Sequence, residues 1–194
     1  MTVSPPLLLA ISTSSPALSI ALVAGPSVLV CRHELIGRGH AEALVPGIAA
    51  LLGGQPRPHA ILVDIGPGSY TGIRIGIAAA RALGLAWGIP VHGVSALALV
   101  AAQAFADDQA LASILAVIDA GRGQPVGAKV TRGAVVPTAR VLTCLPAGEA
   151  LAGAGVQLLA PEAPTRHAGH PDARYAGLVV PAALGLPTAL YLDD

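Results

Sequence analysis

The sequence predicts an α/β fold: a mixed sheet whose element order begins βββαβαβα, followed by a smaller second lobe. Three observations carry this. Short apolar runs divided by turn residues open the chain. Helix-spaced apolar stripes then alternate with further short runs. A glycine-rich loop joins one such run to a helix.

Residues 7–11, 17–24 and 28–33 are apolar and are parted by "SSP" and "GP", which predicts a three-stranded antiparallel meander. The three runs are almost wholly apolar, so both faces of the meander are expected to be covered. In "HAEALVPGIAALLGG", Ala41, Leu44, Val45, Ile48, Leu51 and Leu52 recur at three- and four-residue spacing. That is a helix stripe, ended by Gly53 and Gly54 and expected to bend at Pro46. Residues 59–64 form the fourth strand. Thr71 is the expected cap of a helix running to about Trp87. "IPVHGVS" is the fifth strand and 96–106 another helix. In the second half, 113–118 reads as a strand, 126–131 and 134–141 as a hairpin around "RG", "LAGAGVQLL" as a glycine-interrupted strand and 172–184 as a helix. Loops fill 146–171, where Pro and Gly cluster. The expected boundary falls after 106, with lobes 1–106 and 107–194 and with the last helix of the first lobe able to cross over.

The chain has 194 residues, 54% apolar and 11% charged, with a formal net charge of zero. Ordinary soluble domains carry about 25% charged residues. So little charge implies extensive burial or an apolar surface meant for a partner. Zero net charge gives no bulk attraction for nucleic acid, and the scarcity of aromatics argues against a base-stacking platform. Two cysteines far apart, Cys31 and Cys144, form no CxxC motif, which fits a reduced, cytoplasmic protein. No charge precedes Arg32. The opening run nevertheless lacks the basic start of a signal peptide, and Pro5, Pro6, Pro16 and the serines break it as a membrane span.

The loop "DIGPGSYTGIRIG" sits where nucleotide-binding proteins keep a phosphate loop. No Gly-Lys-Ser/Thr follows, and Gly66, Gly68 and Gly72 give GxGxxxG, one residue longer than the dinucleotide pattern. Gly66, Gly68, Ser69, Thr71 and Gly72 are the candidates for an anion- or nucleotide-binding turn. The plainer reading, a tight strand-to-helix turn that needs glycine, is favoured. Asp64 and Asp119 both stand at strand ends and could face one cleft as a magnesium pair; turn and cap duty is the favoured alternative. His33, His40, His59, His92, His167 and His170 are scattered. "HAGH" places two at i and i+3 in a loop-rich stretch, and His40 has Leu44 at i+4, so no metal site is expected. There is no GxSxG elbow. Gly76, Ala80, Gly84 and Gly88 repeat every fourth residue, a seam that suits close helix packing. With Leu44, Ile48, Leu51, Ile73 and Ile77 beside it, the seam is the candidate partner interface.

"LLLAISTSSPALSIALV", "HAEALVPGIAALL", "GPGSYTGIRIGIAAARALGLAWGIPVHGVSALA" and "PTALYL" together resemble the TsaB (YeaZ) family, bacterial tRNA threonylcarbamoyladenosine biosynthesis proteins. The resemblance is dense over 7–104 and thinner at "IDAGRG", "LAGAG", "DARYAGLV" and the tail. It implies an actin-like ATPase (ribonuclease H-like) fold, shared with sugar kinases and Hsp70, with a degenerate second lobe. It implies a non-catalytic relative of the catalytic subunit TsaD. Such a protein pairs with TsaD and the ATPase TsaE to modify ANN-decoding tRNA, which it reaches through the complex. Some members also self-associate, so a homodimer is a second assembly; no tightly bound cofactor is expected, and whether ATP or ADP sits at the subunit interface of the complex is left open by the sequence.

The sequence departs from that family at two places. The family reads Asp-Thr-Ser-Thr after strand one; this chain has Ser12, Thr13, Ser14 and Ser15, and serine is a poor ligand for a hard cation. "IDAGRGQPVGAKV" resembles the family's Asp-Ala-Arg motif without the Glu-Val-Tyr that follows it. Two alternatives stand beside the scaffold reading: an autonomous small-molecule kinase or ATPase of the same fold, and a metallopeptidase of the glycopeptidase kind.

Overall fold

The computed structural model describes residues 5–165, 169–179 and 185–190. The meander forms as β1 (Leu7–Ser12), β2 (Ala17–Ala24) and β3 (Ser27–Leu35), each antiparallel to the next. Then come α1 (His40–Leu52), β4 (Ala60–Asp64), α2 (Tyr70–Trp87), β5 (Val91–Val94) and α3 (Ala96–Asp107). β4 runs parallel beside β1 and β5 parallel beside β4, so the first sheet has the order β3-β2-β1-β4-β5. That order, with β2 the one reversed strand, is the ribonuclease H-like arrangement on which actin-like ATPases are built.

Both faces of β1 and β2 are covered, which explains their unbroken apolar character. On one face Leu9, Ile11, Leu18, Ile20, Ile61 and Val63 meet Leu44 and Ile48 of α1 and Ile73, Ile77 and Ala80 of α2. On the other, Ala10, Ala21, Val23 and Leu62 meet Ala98 and Leu99 of α3 together with Ala173 and Ala176. β3 departs from the expectation. It is the sheet edge, and Val28, Leu29, Cys31 and Leu35 are exposed. An apolar run signals burial only if a neighbour covers it, and the neighbour on this side is solvent.

The second sheet contains β6 (Ser113–Asp119), β7 (Pro125–Thr131), β8 (Arg140–Val141) and β9 (Leu151–Ala152), in the order β8-β7-β6-β9. α3 lies between the two sheets. Its Ala98 and Leu99 pack on the first, its Leu97, Val100, Ala101, Ala104 and Phe105 on the second.

Three expected elements are shorter than the pattern suggested. The hairpin around "RG" keeps only two residues of its second arm; at the turn, Arg132 donates to the carbonyls of Phe105, Asp108 and Leu111, at and just past the end of α3. "LAGAGVQLL" is a two-residue strand followed by α4 (Val156–Leu159). Gly153 turns the chain at φ +99°, and a Cβ there would lie 2.1 Å from the Val117 carbonyl oxygen. The helix expected over 172–184 is a 3₁₀ helix, Ala173–Leu178, capped by the Asp172 carboxylate, which accepts from the Arg174 N–H at 2.9 Å. Residues 180–184 of that expectation lie outside the described residues. Among the described residues no helix is long and apolar enough to cross a membrane.

Candidate functional site

β1 and β4 are parallel neighbours with Ile11 beside Val63, so Ser12 and Asp64 leave the sheet at the same edge. That C-terminal edge is where such sheets hold ligands. Here the edge is closed by its own side chains. Ser12 Oγ donates to Asp64 Oδ2 at 2.6 Å, Ser14 Oγ donates to the same oxygen at 2.5 Å, and the Gly66 N–H donates to Oδ1 at 2.8 Å. Asp64 is fully buried. Burial raises its carboxyl above the usual carboxylate range, and the three hydrogen bonds oppose that rise.

The glycine loop is shaped by the same turn. A Cβ on Gly68 would stand 2.4 Å from the Ser14 carbonyl oxygen, and one on Gly72 would stand 2.0 Å from that of Thr13. The Ser69 N–H donates to the Ser14 carbonyl at 2.6 Å, and Thr13 Oγ1 donates to the Gly72 carbonyl at 2.7 Å. The inner side of the loop is therefore packed against carbonyl oxygens, which repel an anion. Ser69, not Thr71, caps α2, its Oγ accepting from the Gly72 N–H at 3.4 Å; Thr71 is exposed one residue inside the helix.

A cleft of 610 Å³ opens above this turn. Of the five candidate turn residues, Ser69, Thr71 and Gly72 line it and Gly66 and Gly68 do not. Asp119 lines it as well, while its Oδ1 accepts from the Gly121 N–H at 2.8 Å in a turn. Asp64 does not reach the cleft, so the two carboxylates are not a metal pair. Arg38 and Arg122 stand on the cleft walls, and neither makes a side-chain hydrogen bond or ion pair among the described residues. Their signal in the sequence is a repeated Gly-Arg-Gly, at 37–39 and 121–123, with all four glycines at positive φ. Sequence reading passed over both. A magnesium–nucleotide held through a strand-end carboxylate does not fit these residues. The buried strand-end carboxylate, Asp64, already accepts three hydrogen bonds, the loop faces carbonyls, and no lysine follows the glycines.

The candidate interface residues are placed differently from the expectation. Leu44, Ile48, Ile73, Ile77 and Ala80 are core side chains, and Leu51 is half-buried against them. The small-residue seam faces the chain's own sheet. A Cβ on Gly76 would meet Thr13 Oγ1 at 2.5 Å, and one on Gly84 would meet Val91 Cγ2 at 2.4 Å. Close helix packing is what the four-residue period serves, but the packing is on β1, β4 and β5. The outward residues of the two helices include Glu42, Val45, Tyr70, Arg74, Arg81 and Leu85.

The histidines are dispersed. His40 is buried, with Nε2 3.3 Å from the Ala17 carbonyl oxygen; His167 lies outside the described residues. Among the described residues no group of three His, Cys, Asp or Glu could hold a metal. One polar cluster has no trace in the sequence because its members are 153 residues apart. Ser19 Oγ lies 3.3 Å from Asp172 Oδ1 and 2.9 Å from His33 Nδ1, which is itself 3.7 Å from Asp172 Oδ2. A single ring nitrogen faces both serine and aspartate, and Ser19 is fully buried. The set cannot relay a proton as a Ser-His-Asp triad does. It ties the 3₁₀ helix to the sheet.

The fold is of the actin-like ATPase type, and at this edge the buried strand-end carboxylate accepts from the chain's own hydroxyls. The family model for TsaD, described as tRNA N6-adenosine threonylcarbamoyltransferase, matches residues 34–161. YeaZ from Pseudomonas aeruginosa superimposes with a TM-score of 0.78 at 28% identity, over 96% of this chain and 100% of that one. Protein Rv3421c of Mycobacterium tuberculosis is 36% identical over 76% of this chain and 71% of its own length. The tRNA threonylcarbamoyladenosine biosynthesis protein TsaB of Bacillus subtilis is 36% identical over 60% of this chain and 52% of its own. The match thus spans about half the length of that relative. The chain belongs to the TsaD family, on its TsaB (YeaZ) branch.

Proposed function

We propose that this chain is a non-catalytic subunit in tRNA threonylcarbamoyladenosine biosynthesis, supporting a TsaD-type catalytic subunit in the cytoplasm. The observation that carries the non-catalytic part is the Ser12–Asp64–Ser14 arrangement. Phosphoryl chemistry on this fold needs a carboxylate free to hold a metal, and the carboxylate here is buried and engaged by two hydroxyls and a backbone N–H. The branch on which the chain falls supports the pathway.

The docking surface in this reading is the outward side of α1 and α2, around Val45 and Leu85, not the inward seam. TsaE and tRNA join through the complex. A nucleotide belongs to that complex, where Arg38 and Arg122 are the side chains that an anion entering the cleft would meet. The test is reconstitution with a TsaD-type subunit, a TsaE-type ATPase, tRNA and the threonylcarbamoyl-AMP donor. Modification should require this chain, and the chain alone should turn over no ATP. Micromolar Mg-ATP binding with turnover by the isolated chain would instead establish the kinase reading.

A further inference from the structure

Every described arginine and lysine except Arg38, Arg122 and Arg140 donates to an oxygen of the chain. Two of those three line the same 610 Å³ cleft, Arg38 from the turn after β3 and Arg122 from the turn between β6 and β7. Both are exposed. Each turn is tied down by its backbone. The Gly37 N–H donates to the Pro16 carbonyl at 2.9 Å and the Arg38 N–H to the Ile36 carbonyl at 2.7 Å. The Ala120 N–H donates to the Gln124 carbonyl at 2.9 Å and the Gln124 N–H to the Gly121 carbonyl at 3.2 Å. Arg122 is the one described non-glycine residue at positive φ, +59°. Glycine would take that conformation without strain, so arginine serves this turn through its side chain.

Two guanidinium groups on one cleft suit a ligand with more than one anionic group. A magnesium nucleotide does not fit, because Asp64 is already engaged and the glycine loop faces carbonyls. An acidic peptide would be anchored by apolar or aromatic side chains. Here Pro16, Ala41 and Ile75 are the only apolar side chains on the walls, and no Phe, Tyr or Trp lines them. A nucleic-acid backbone needs no such anchor and presents one negative charge per phosphate. Two acids also line the cleft, and both have other work. Asp119 Oδ1 accepts from the Gly121 N–H, and Glu42 stands in the first turn of α1, where the helix dipole favours a carboxylate. With the zero net charge of the chain, they make the attraction short-ranged, guanidinium to phosphate, rather than a field over the whole surface.

We propose that Arg38 and Arg122 hold backbone phosphates of an RNA strand laid across this cleft, giving the chain a contact of its own with tRNA. The choice of RNA rests on the reading of the chain as a subunit in tRNA modification. With no Phe, Tyr or Trp on the walls to stack a base, the contact positions the RNA and does not read its sequence.

Fluorescence anisotropy of a labelled tRNA transcript with the full chain, from about 50 to 200 mM salt, tests this. The wild type should bind with a Kd of about 30 µM at the low-salt end. Arg38→Gln and Arg122→Gln should each weaken binding by about tenfold and each lower the slope of log affinity against log salt by about 1. Arg38→Lys should keep the slope, since the charge remains. Arg122→Gly should lose binding while melting no lower than the wild type, because it relieves the turn, so that loss is not a loss of fold. Absence of tRNA binding at about 300 µM chain overturns the proposal. So does a salt slope unchanged in Arg38→Gln/Arg122→Gln. Displacement of tRNA by about 10 µM ATP without magnesium would assign the cleft to a free nucleotide, and displacement by polyglutamate of matched charge would assign it to an acidic peptide; either overturns the proposal. A chain that binds tRNA as described but is dispensable for threonylcarbamoylation in the reconstituted system overturns the proposed function and leaves this contact standing.

Discussion

Asp64 Oδ2 accepts hydrogen bonds from Ser12 Oγ at 2.6 Å and from Ser14 Oγ at 2.5 Å. Ser12 holds the position at which the resembled family carries an acid. A carboxylate in its place would stand against Asp64 in a fully buried site, and two adjacent buried carboxylates cannot both ionise. Ser12→Asp should therefore cost about 3 kcal/mol or more at neutral pH. Urea denaturation at pH 7 and pH 5 checks this: the loss should be smaller at pH 5, where one carboxyl keeps its proton.

Asp64 also sets a pH dependence. Its folded carboxyl lies above the unfolded value through burial. As pH rises, the unfolded chain gives up this proton first, so the native state binds more protons between the two values and stability falls with pH in that window. The contribution is fully present below the ordinary carboxylate range and is lost as pH climbs through the raised folded value. Asp64→Asn keeps an acceptor for Gly66 and offers its amide to the serine hydroxyls. In denaturation series from pH 4 to pH 7, the wild type should lose stability relative to Asp64→Asn. A flat difference would show that the hydrogen bonds cancel the burial.

The glycines separate into two kinds. Gly72→Ala places a methyl 2.0 Å from the Thr13 carbonyl oxygen and should cost about 3 kcal/mol or more, because backbone must move on both sides. Gly88 has φ +64° with open space around it, so Gly88→Ala should cost only about 1 kcal/mol. Thermal melts of the pair measure the contrast.

Docking variants must avoid the inward seam. Gly84→Leu drives a side chain into Val91, and Ala80→Glu buries a charge at a site with no exposure, so both should unfold the chain. Leu85 is 86% exposed. Leu85→Glu should leave stability within about 0.5 kcal/mol and reduce capture of the TsaD-type subunit by about tenfold. Undiminished capture would move the docking surface off α2.

Arg132 ties the end of β7 to the end of α3 and the turn after it. It donates to the Phe105, Asp108 and Leu111 carbonyls and lies 4.6 Å over the Phe105 ring. Arg132→Ala should cost about 2 kcal/mol, and Arg132→Lys should recover only part of it, since a single ammonium cannot span three carbonyls and stack. Differential scanning calorimetry of both variants decides this.

By itself the sequence determined the order of elements through α3. Those segments are regular, and their periodicity follows from which side faces the core: unbroken apolar strands where two layers of helices cover them, and three- and four-residue stripes where a helix lies on a sheet. It also determined that Gly66–Gly72 is a turn lacking the lysine of a phosphate loop. Tertiary structure decided the rest. Whether an apolar residue is core or surface depends on a neighbour that periodicity does not name. Leu44, Ile73 and the seam from Gly76 to Gly84 therefore face inward, while the equally apolar β3 faces solvent. The meeting of Ser12 with Asp64, 52 residues apart, and of Ser19 with Asp172, 153 apart, is fixed by strand pairing and packing. The two Gly-Arg-Gly turns come to line one cleft through the packing of both sheets on α3, which periodicity does not name.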